Sequence, residues 1–510
     1  MTRIDKRVRE VDLLVVGSGP AGSAFARRVF DHNPSTSILM VDAGPQLTRR
    51  AGTNTVNLRG AEYQDALAGA RGPDAGILSA DDPLAAYVQS GTYLLRPPAA
   101  GADLQADMPL AAVSSNVGGM GAHWACSCPS PGGSEVIPSI PRADFDAAFQ
   151  TATELLSVTT SGFPRTSLQD NVERLLGKVC DGGRPPERQV QPMPLACQPN
   201  GAVPTWTGTE QILGEQMLGE SSGTSGTEEF RFALRGDTLC RRLLHTNGRV
   251  HAAELEHRPT GERYTVRAGA VMVAGDALRT PQLLWESGIR APALGRYLND
   301  QPMIIATVAV DPALVDSGFL AHTPDSHDAR DHLRGVTWVP FDDAQPWHGQ
   351  VHYFDPRFVQ NSSMGPFVVL SWFLPKDLSA DNRVTFDDTQ RDPYGIAAMT
   401  IQHRLSDADR ARIADAIGSM EKAAAAIGTF LPGAEPRLFP SGCSLHYQGT
   451  VRTGAEDDGT SVCDSSSRVW GMQNLYVGGN GVISTSTACN PTATSVALAV
   501  LAADHAAGAQ

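Results

Sequence analysis

A chain of 510 residues is long for a single core and implies two lobes, and its 41% hydrophobic and 19% charged residues are those of a globular protein, not a disordered one. A net charge of −14 works against binding a phosphate backbone, which needs clustered Lys and Arg, so nucleic acid is not an expected partner. Eight cysteines lie scattered without a CxxC motif, and only Cys126 and Cys128 are close, which favours buried thiols over zinc or a disulfide framework; no metal is expected.

The first twelve residues carry Arg3, Lys6, Arg7 and Arg9 but no apolar signal region, and no run of about 18 apolar residues follows, so a cytoplasmic protein without a membrane span is expected. Val11 to Val16 (VDLLVV) reads as a strand buried on both faces, leading through Gly17-Ser18-Gly19-Pro20-Ala21-Gly22 into an Ala-rich helix. Ser37 to Val41 is the second parallel strand of a βαβ unit, with Asp42 at its carboxyl end. The Gly- and Ala-rich tract from Ala51 to Asp107 predicts irregular connections and a few short helices. Arg142 to Ser157 has helical periodicity, and Ser221 to Glu228 has the composition of an exposed loop. Arg231 to Glu256 and Arg263 to Val273 read as a meander turning at Thr260-Gly261-Glu262, and Met303 to Val310 with Phe367 to Phe373 as a second sheet. Asp407 to Ile427 predicts an amphipathic helix, and Leu475 to Val477, a Gly-rich turn and a helix from Ala493 to His505 follow.

Gly17, Gly19 and Gly22 fit a dinucleotide turn. The first permits the tight turn, the second lets backbone N–H groups approach a pyrophosphate, and the third allows close helix packing. The helix N-terminus adds partial positive charge, and Asp42, twenty residues after Gly22, is placed to accept hydrogen bonds from an adenosine ribose. These features leave NAD and FAD undistinguished.

Further segments resemble the glucose–methanol–choline oxidoreductase family, in its pyranose oxidase-like branch. Gly275 to Ile289 (GDALRTPQLLWESGI) resembles the family's second signature, over the adenine side, and Leu294 to Met303 (LGRYLNDQPM) the passage into the substrate domain. Asn116 to Cys126 (NVGGMGAHWAC) resembles the flavin-facing loop of pyranose oxidases, which implies contacts from Gly118, Gly119, Ala122, His123, Trp124 and Ala125. There a histidine can bond covalently to the flavin; here His123 is flanked by Ala122 and Ala125, so non-covalent FAD is favoured and a link through His123 is the alternative. Leu445 to Arg452 (LHYQGTVR) and Ala488 to Thr492 (ACNPT) resemble the segments that hold a His/Asn pair over the flavin, which assigns catalysis to His446 and Asn490, 44 residues apart. The chemistry suits them: an imidazole takes the hydroxyl proton, and an uncharged amide bonds the developing alkoxide without competing for that proton. Gly478 to Gly481 resembles a second clamp, so that Cys240, Gly275, Asn480, Gly481, Pro491 and Thr492 complete the implied FAD contacts. Trp347 to Asp355 resembles the start of a substrate loop, implying sugar contacts from Gln350, His352, Phe354 and Asp355.

The resemblance implies an α/β fold: a Rossmann-like FAD-binding domain from residues 1–130, 230–300 and 440–510, and an α+β substrate-binding domain around an antiparallel sheet from 131–229 and 301–439. The expected reaction oxidises a secondary ring hydroxyl, C3 or C2, of a pyranose or glycoside, C-glycosides included, with dioxygen or a quinone-type acceptor reoxidising the flavin. The alternatives are a 2-oxidase of free glucose, a family lyase with structural FAD and a non-catalytic flavin-binding protein. Few apolar segments in 51–107 resemble the oligomerisation arm of fungal pyranose oxidases, so a monomer is expected.

Overall fold

The computed structural model describes residues 10–69, 84, 88, 91–96, 98–99, 101–221, 231–315, 333–354 and 366–508. The loop expected at 221–228 lies almost wholly outside them. Strand β1 (Glu10–Val16), helix α1 (Pro20–His32) and strand β2 (Ile38–Val41) form the first unit, with Leu13 opposite Ile38 and Val16 opposite Val41 in parallel register. Pro20, with its fixed φ and no N–H, suits the first helical position, and Gly19 caps it.

Strand β3 (Glu262–Val273) organises the first sheet. Its opening half pairs antiparallel with Arg249–His257, and its second half pairs parallel with β1 on one side and Leu475–Val477 on the other. The meander expected from Arg231 to Glu256 resolves into three strands, Phe232–Arg235, Thr238–Thr246 and Arg249–His257. Asn247-Gly248, with φ of 51° and 73°, makes the tight turn between the last two, since both residues tolerate the left-handed conformation. From β3 the chain passes Gly275 into α2 (Asp276–Glu286). Helix α3 (Thr492–Gly508) packs its small residues against α1, a close approach that larger side chains would prevent.

The second sheet is antiparallel throughout, in the order 428–430, 303–310, 367–373, β4 (His348–Phe354), 333–339, 191–192, with 437–438 also beside 303–310. Ser167–Cys180 and Asp407–Ile427 share its hydrophobic core, where Leu176 and Met420 join Val351, Tyr353 and Leu370. The segment 131–229 contributes to both cores, because Arg142–Leu155 packs on α3 while Ser167–Cys180 belongs to the second sheet. Trp347 to Phe354, expected as the start of a loop, is instead mostly β4. Its alternation explains the difference: Val351 and Tyr353 enter the core, and His348, Gln350 and His352 share the opposite face.

Candidate active site

A cavity of about 560 Å3 runs between the two sheets, from Gly17, Gly19 and Asp42 at one end to His446 and Asn490 at the other. Its glycine end admits no side chain at the turn: Gly17 has φ +103°, and a Cβ there would stand 2.2 Å from the carbonyl oxygen of Ala274. A Cβ on Gly22 would meet the Gly17 carbonyl oxygen at 2.1 Å, whereas one on Gly19 has no neighbour nearer than 3.9 Å, so Gly19 leaves its room to the cavity.

Asp42 is fixed by Ser18 and Gly44. Its Oδ2 accepts from the Ser18 hydroxyl at 2.6 Å and backbone N–H at 3.1 Å, its Oδ1 from the Gly44 N–H at 3.0 Å, and burial raises its pKa. The Ser18 hydroxyl also accepts from the N–H of Gly118, which ties the Gly118-Gly119 loop to the glycine turn.

Cys240, Gly275, Gly119, Trp124, Ala125, Asn480 and Thr492 line the cavity. Asn480 accepts from the Ser495 hydroxyl, Gly481 packs against Val451, and Pro491 precedes α3, its carbonyl accepting from the Ser495 N–H at 2.8 Å. Ala122 is buried behind the wall, its carbonyl accepting from Thr55. His123 is buried too. Its Nε2 lies 2.8 Å from the Asn116 Oδ1 and its Nδ1 3.2 Å from the Thr55 hydroxyl, and burial lowers its pKa to about 4. Tyr394, unnoticed in the sequence despite its Asp392-Pro393-Tyr394-Gly395 turn signature, also lines the cavity, with the Arg258 and Arg279 guanidiniums 4.5 and 4.9 Å from its ring centre.

At the far end the Asn490 Nδ2 lies 3.2 Å from the His446 Nε2. His446 follows Leu445, held at φ +59°; its N–H donates to the Ser444 hydroxyl at 3.1 Å, and its ring meets Phe373 at 5.3 Å between centres. Burial lowers its pKa to about 3, so the ring is neutral. Its Nδ1 stands 2.7 Å from the Gln301 Oε1. The Asn490 Oδ1 accepts from the Gln350 amide at 2.6 Å and lies 3.0 Å from the His348 Nε2. Buried Glu135 steadies this loop by accepting from the Ala488 and Cys489 N–H groups at 2.8 and 2.9 Å.

His352 lines the cavity with its pKa lowered by burial to about 4, Phe354 stacks on His352 and Phe367, and Asp355 lies outside the described residues. Gln301, His348, Trp338 and Glu135 escaped the sequence reading; the polar positions of the HGQVH alternation were the available signal for His348. Among the described residues no group of three or more His, Cys, Asp or Glu could hold a metal, and no helix is long and apolar enough to cross a membrane.

A glycine-cradled dinucleotide groove opening on a neutral imidazole and a carboxamide fits a dinucleotide-dependent oxidoreductase acting on alcohols. The chain belongs to the GMC oxidoreductase family, which it matches over residues 229–303 and 379–499. It is 41% identical to a C-glycoside 3-oxidase of Arthrobacter globiformis, over 96% of this chain and 93% of that protein, and 30% identical to a pyranose 2-oxidase of Tricholoma matsutake, over 98% and 94%. Among solved structures, pyridoxine 4-oxidase from Mesorbium loti shares the fold at a TM-score of 0.62 and 16% identity, covering 97% of this chain and 99% of that one. A formate oxidase of Aspergillus oryzae RIB40 does so at 0.63 and 14%, covering 98% of each.

Proposed function

We propose that this chain oxidises a secondary ring hydroxyl of a pyranoside, at C3 of glucosides and C-glycosides in preference to C2 of free glucose. The observation that carries the reading is the His446/Asn490 pair at one end of a cavity whose other end is built from Gly17, Gly19 and Asp42. FAD, the family's cofactor, supplies when bound the acceptor for the carbinol hydride. Gly17, Gly19 and the start of α1 would hold its pyrophosphate, with no acidic side chain in the first turn of α1 to repel it, and the Gly118-Gly119 loop would pass close to the flavin ring. Asp42 would meet the adenosine ribose, and Cys240 and Gly275 the adenine side. FAD would be held non-covalently, a reading supported by the protein partners of both His123 ring nitrogens.

His446 takes the hydroxyl proton at Nε2 while the Asn490 amide donates to the oxygen that is becoming an alkoxide. Gln350 and His352, on one face of β4, border the space for the sugar and match its neighbouring hydroxyls, because an unpaired buried hydroxyl costs about 1–3 kcal/mol. A substituent at C1 crowds C2, so a glycoside with its aglycone toward solvent presents C3 more readily. Dioxygen, with hydrogen peroxide as product, or a quinone-type acceptor completes the cycle, and the working unit is a monomer.

The test is anaerobic mixing of the yellow protein with glucose and with an aryl C-glucoside, following loss of the flavin band and locating the new ketone by NMR. Bleaching by the glycoside with a C3 ketone is expected. Efficient C2 oxidation of glucose without activity on the glycoside would overturn the C3 assignment, and bleaching by no sugar would overturn the function.

A further inference from the structure

Two buried hydrogen-bond chains converge on the His446/Asn490 pair, and each begins at a group that works in one direction only. On the first, the carbonyl oxygen of Cys489 can only accept, and it lies 2.9 Å from the Gln301 Nε2. Gln301 therefore turns its amide nitrogen to Cys489 and its Oε1 to the His446 Nδ1, 2.7 Å away. An amide oxygen cannot donate, so Nδ1 carries the hydrogen and the lone pair of the neutral ring sits at Nε2, facing Asn490.

On the second, the indole N–H of Trp338 can only donate, and it donates to the His348 Nδ1 at 2.8 Å. The His348 hydrogen is thereby placed on Nε2, which donates to the Asn490 Oδ1 at 3.0 Å. The Gln350 Nε2, 3.1 Å from the His348 Nε2, is then a second donor to the same oxygen rather than a partner of that nitrogen, and with its oxygen so engaged Asn490 presents its NH2 group to the His446 Nε2. The two chains start from different elements, one from the loop that precedes α3 and the other from strand 333–339, and fix complementary ends of one contact, an acceptor on His446 and a donor on Asn490. A hydroxyl entering between them finds a base for its proton and a donor for its oxygen already aimed, so neither has to reorient as charge develops.

We infer that Gln301 and the Trp338–His348 pair are positioning residues that set the polarity of the His446/Asn490 pair. This rests on the function proposed above, but its test does not need turnover. The holoenzyme is labelled with 15N-histidine and its long-range 1H–15N spectrum recorded without substrate, with His446 and His348 assigned by their loss in His446→Asn and His348→Asn. The expected result is His446 protonated at Nδ1 and bare at Nε2, with His348 the reverse. The opposite tautomer at either residue overturns the inference on the wild-type protein alone, whatever the variants do.

Kinetics supply the second readout. Gln301→Leu and Trp338→Phe should each lower the anaerobic reduction rate roughly 10–100-fold with little change in the sugar concentration for half-maximal rate, because orientation is lost and binding is kept. Gln301→Glu, which keeps an acceptor at Nδ1 but loses the donor to the Cys489 carbonyl, should recover part of the rate and move the acid limb of the pH profile upward. Equal rates in wild type and both disrupting variants overturn the inference. A flavin that no sugar bleaches, with the tautomers as expected, retires the proposed function and leaves the hydrogen-bond polarity standing.

Discussion

The Asn490 Nδ2 donates to the His446 Nε2 at 3.2 Å, so these two side chains make with one another the contact that a substrate hydroxyl must divide. His446→Ala is expected to keep fold and flavin while losing flavin reduction by about 10²–10⁴, the range of general base catalysis. Asn490→Asp is impaired as well, because a carboxylate opposes the forming alkoxide and offers no N–H. Stopped-flow reduction at equal flavin content measures both, and an unchanged rate removes the residue concerned from the mechanism.

The pH dependence follows from burial. His446 has a pKa lowered to about 3 from an ordinary value near 6.5, so it stays neutral and basic at Nε2 through mildly acidic pH. The rate of reduction at low sugar, which reports the free enzyme, is expected to show no acid limb from this group between about pH 5 and 8. A half-loss near pH 6.5 would refute it. For stability the sign is that of a depressed histidine: its contribution is complete above pH 6.5 and declines as the pH falls toward 3.

Gly17→Ala and Gly19→Ala should fail differently. At Gly17 the new methyl would lie 2.2 Å from the Ala274 carbonyl oxygen at φ +103°, forcing β1 from β3, and loss of folded protein is expected. At Gly19 the methyl meets nothing within 3.9 Å, so folding survives, but the group occupies the cavity wall and the purified protein should be flavin-poor. Circular dichroism melts and the ratio of flavin to protein absorbance separate the two outcomes; equal flavin content in Gly19→Ala and wild type would contradict the second.

Glu135→Gln tests the support of the catalytic loop. One carboxylate oxygen accepts from Ala488 and Cys489 and the other from Gly132 at 2.9 Å, so an amide would set an NH2 against at least one N–H. The expected cost is about 1–3 kcal/mol, with a lower melting temperature and slower reduction together. An unaltered melt would show that the loop holds itself.

Light scattering of the holoenzyme is expected to give the mass of one chain. A stable tetramer would overturn the monomer proposal and the open aglycone path built on it.

What the sequence made legible was local. β1, the glycine turn, α1 and Asp42 are set by near neighbours and by periodicity, so their pattern could be read directly. The catalytic pair could be named only through resemblance, since nothing in the 43 intervening residues says that they meet. β4 was misread because its polar members look like a loop until Val351 and Tyr353 are seen entering a core. Gln301 and Trp338 carry no local signature and His348 only its place in the HGQVH alternation, for their meaning lies in partners supplied by other elements.

The double pairing of β3 bears on how the chain is made. β1 and β2 leave the ribosome early, yet Leu13 finds its neighbour Ala270 only after most of the second-sheet helix Ser167–Cys180 and the meander have been synthesised, and Val271 waits further for Leu475. The nascent first unit therefore spends much of synthesis with the β1 edge and its buried face uncovered, a condition that slows folding and invites chaperones. The nucleotide groove gains the strand 475–477 only after the strands of the second sheet have been made, so the two sheets are completed in the reverse of the order in which they begin.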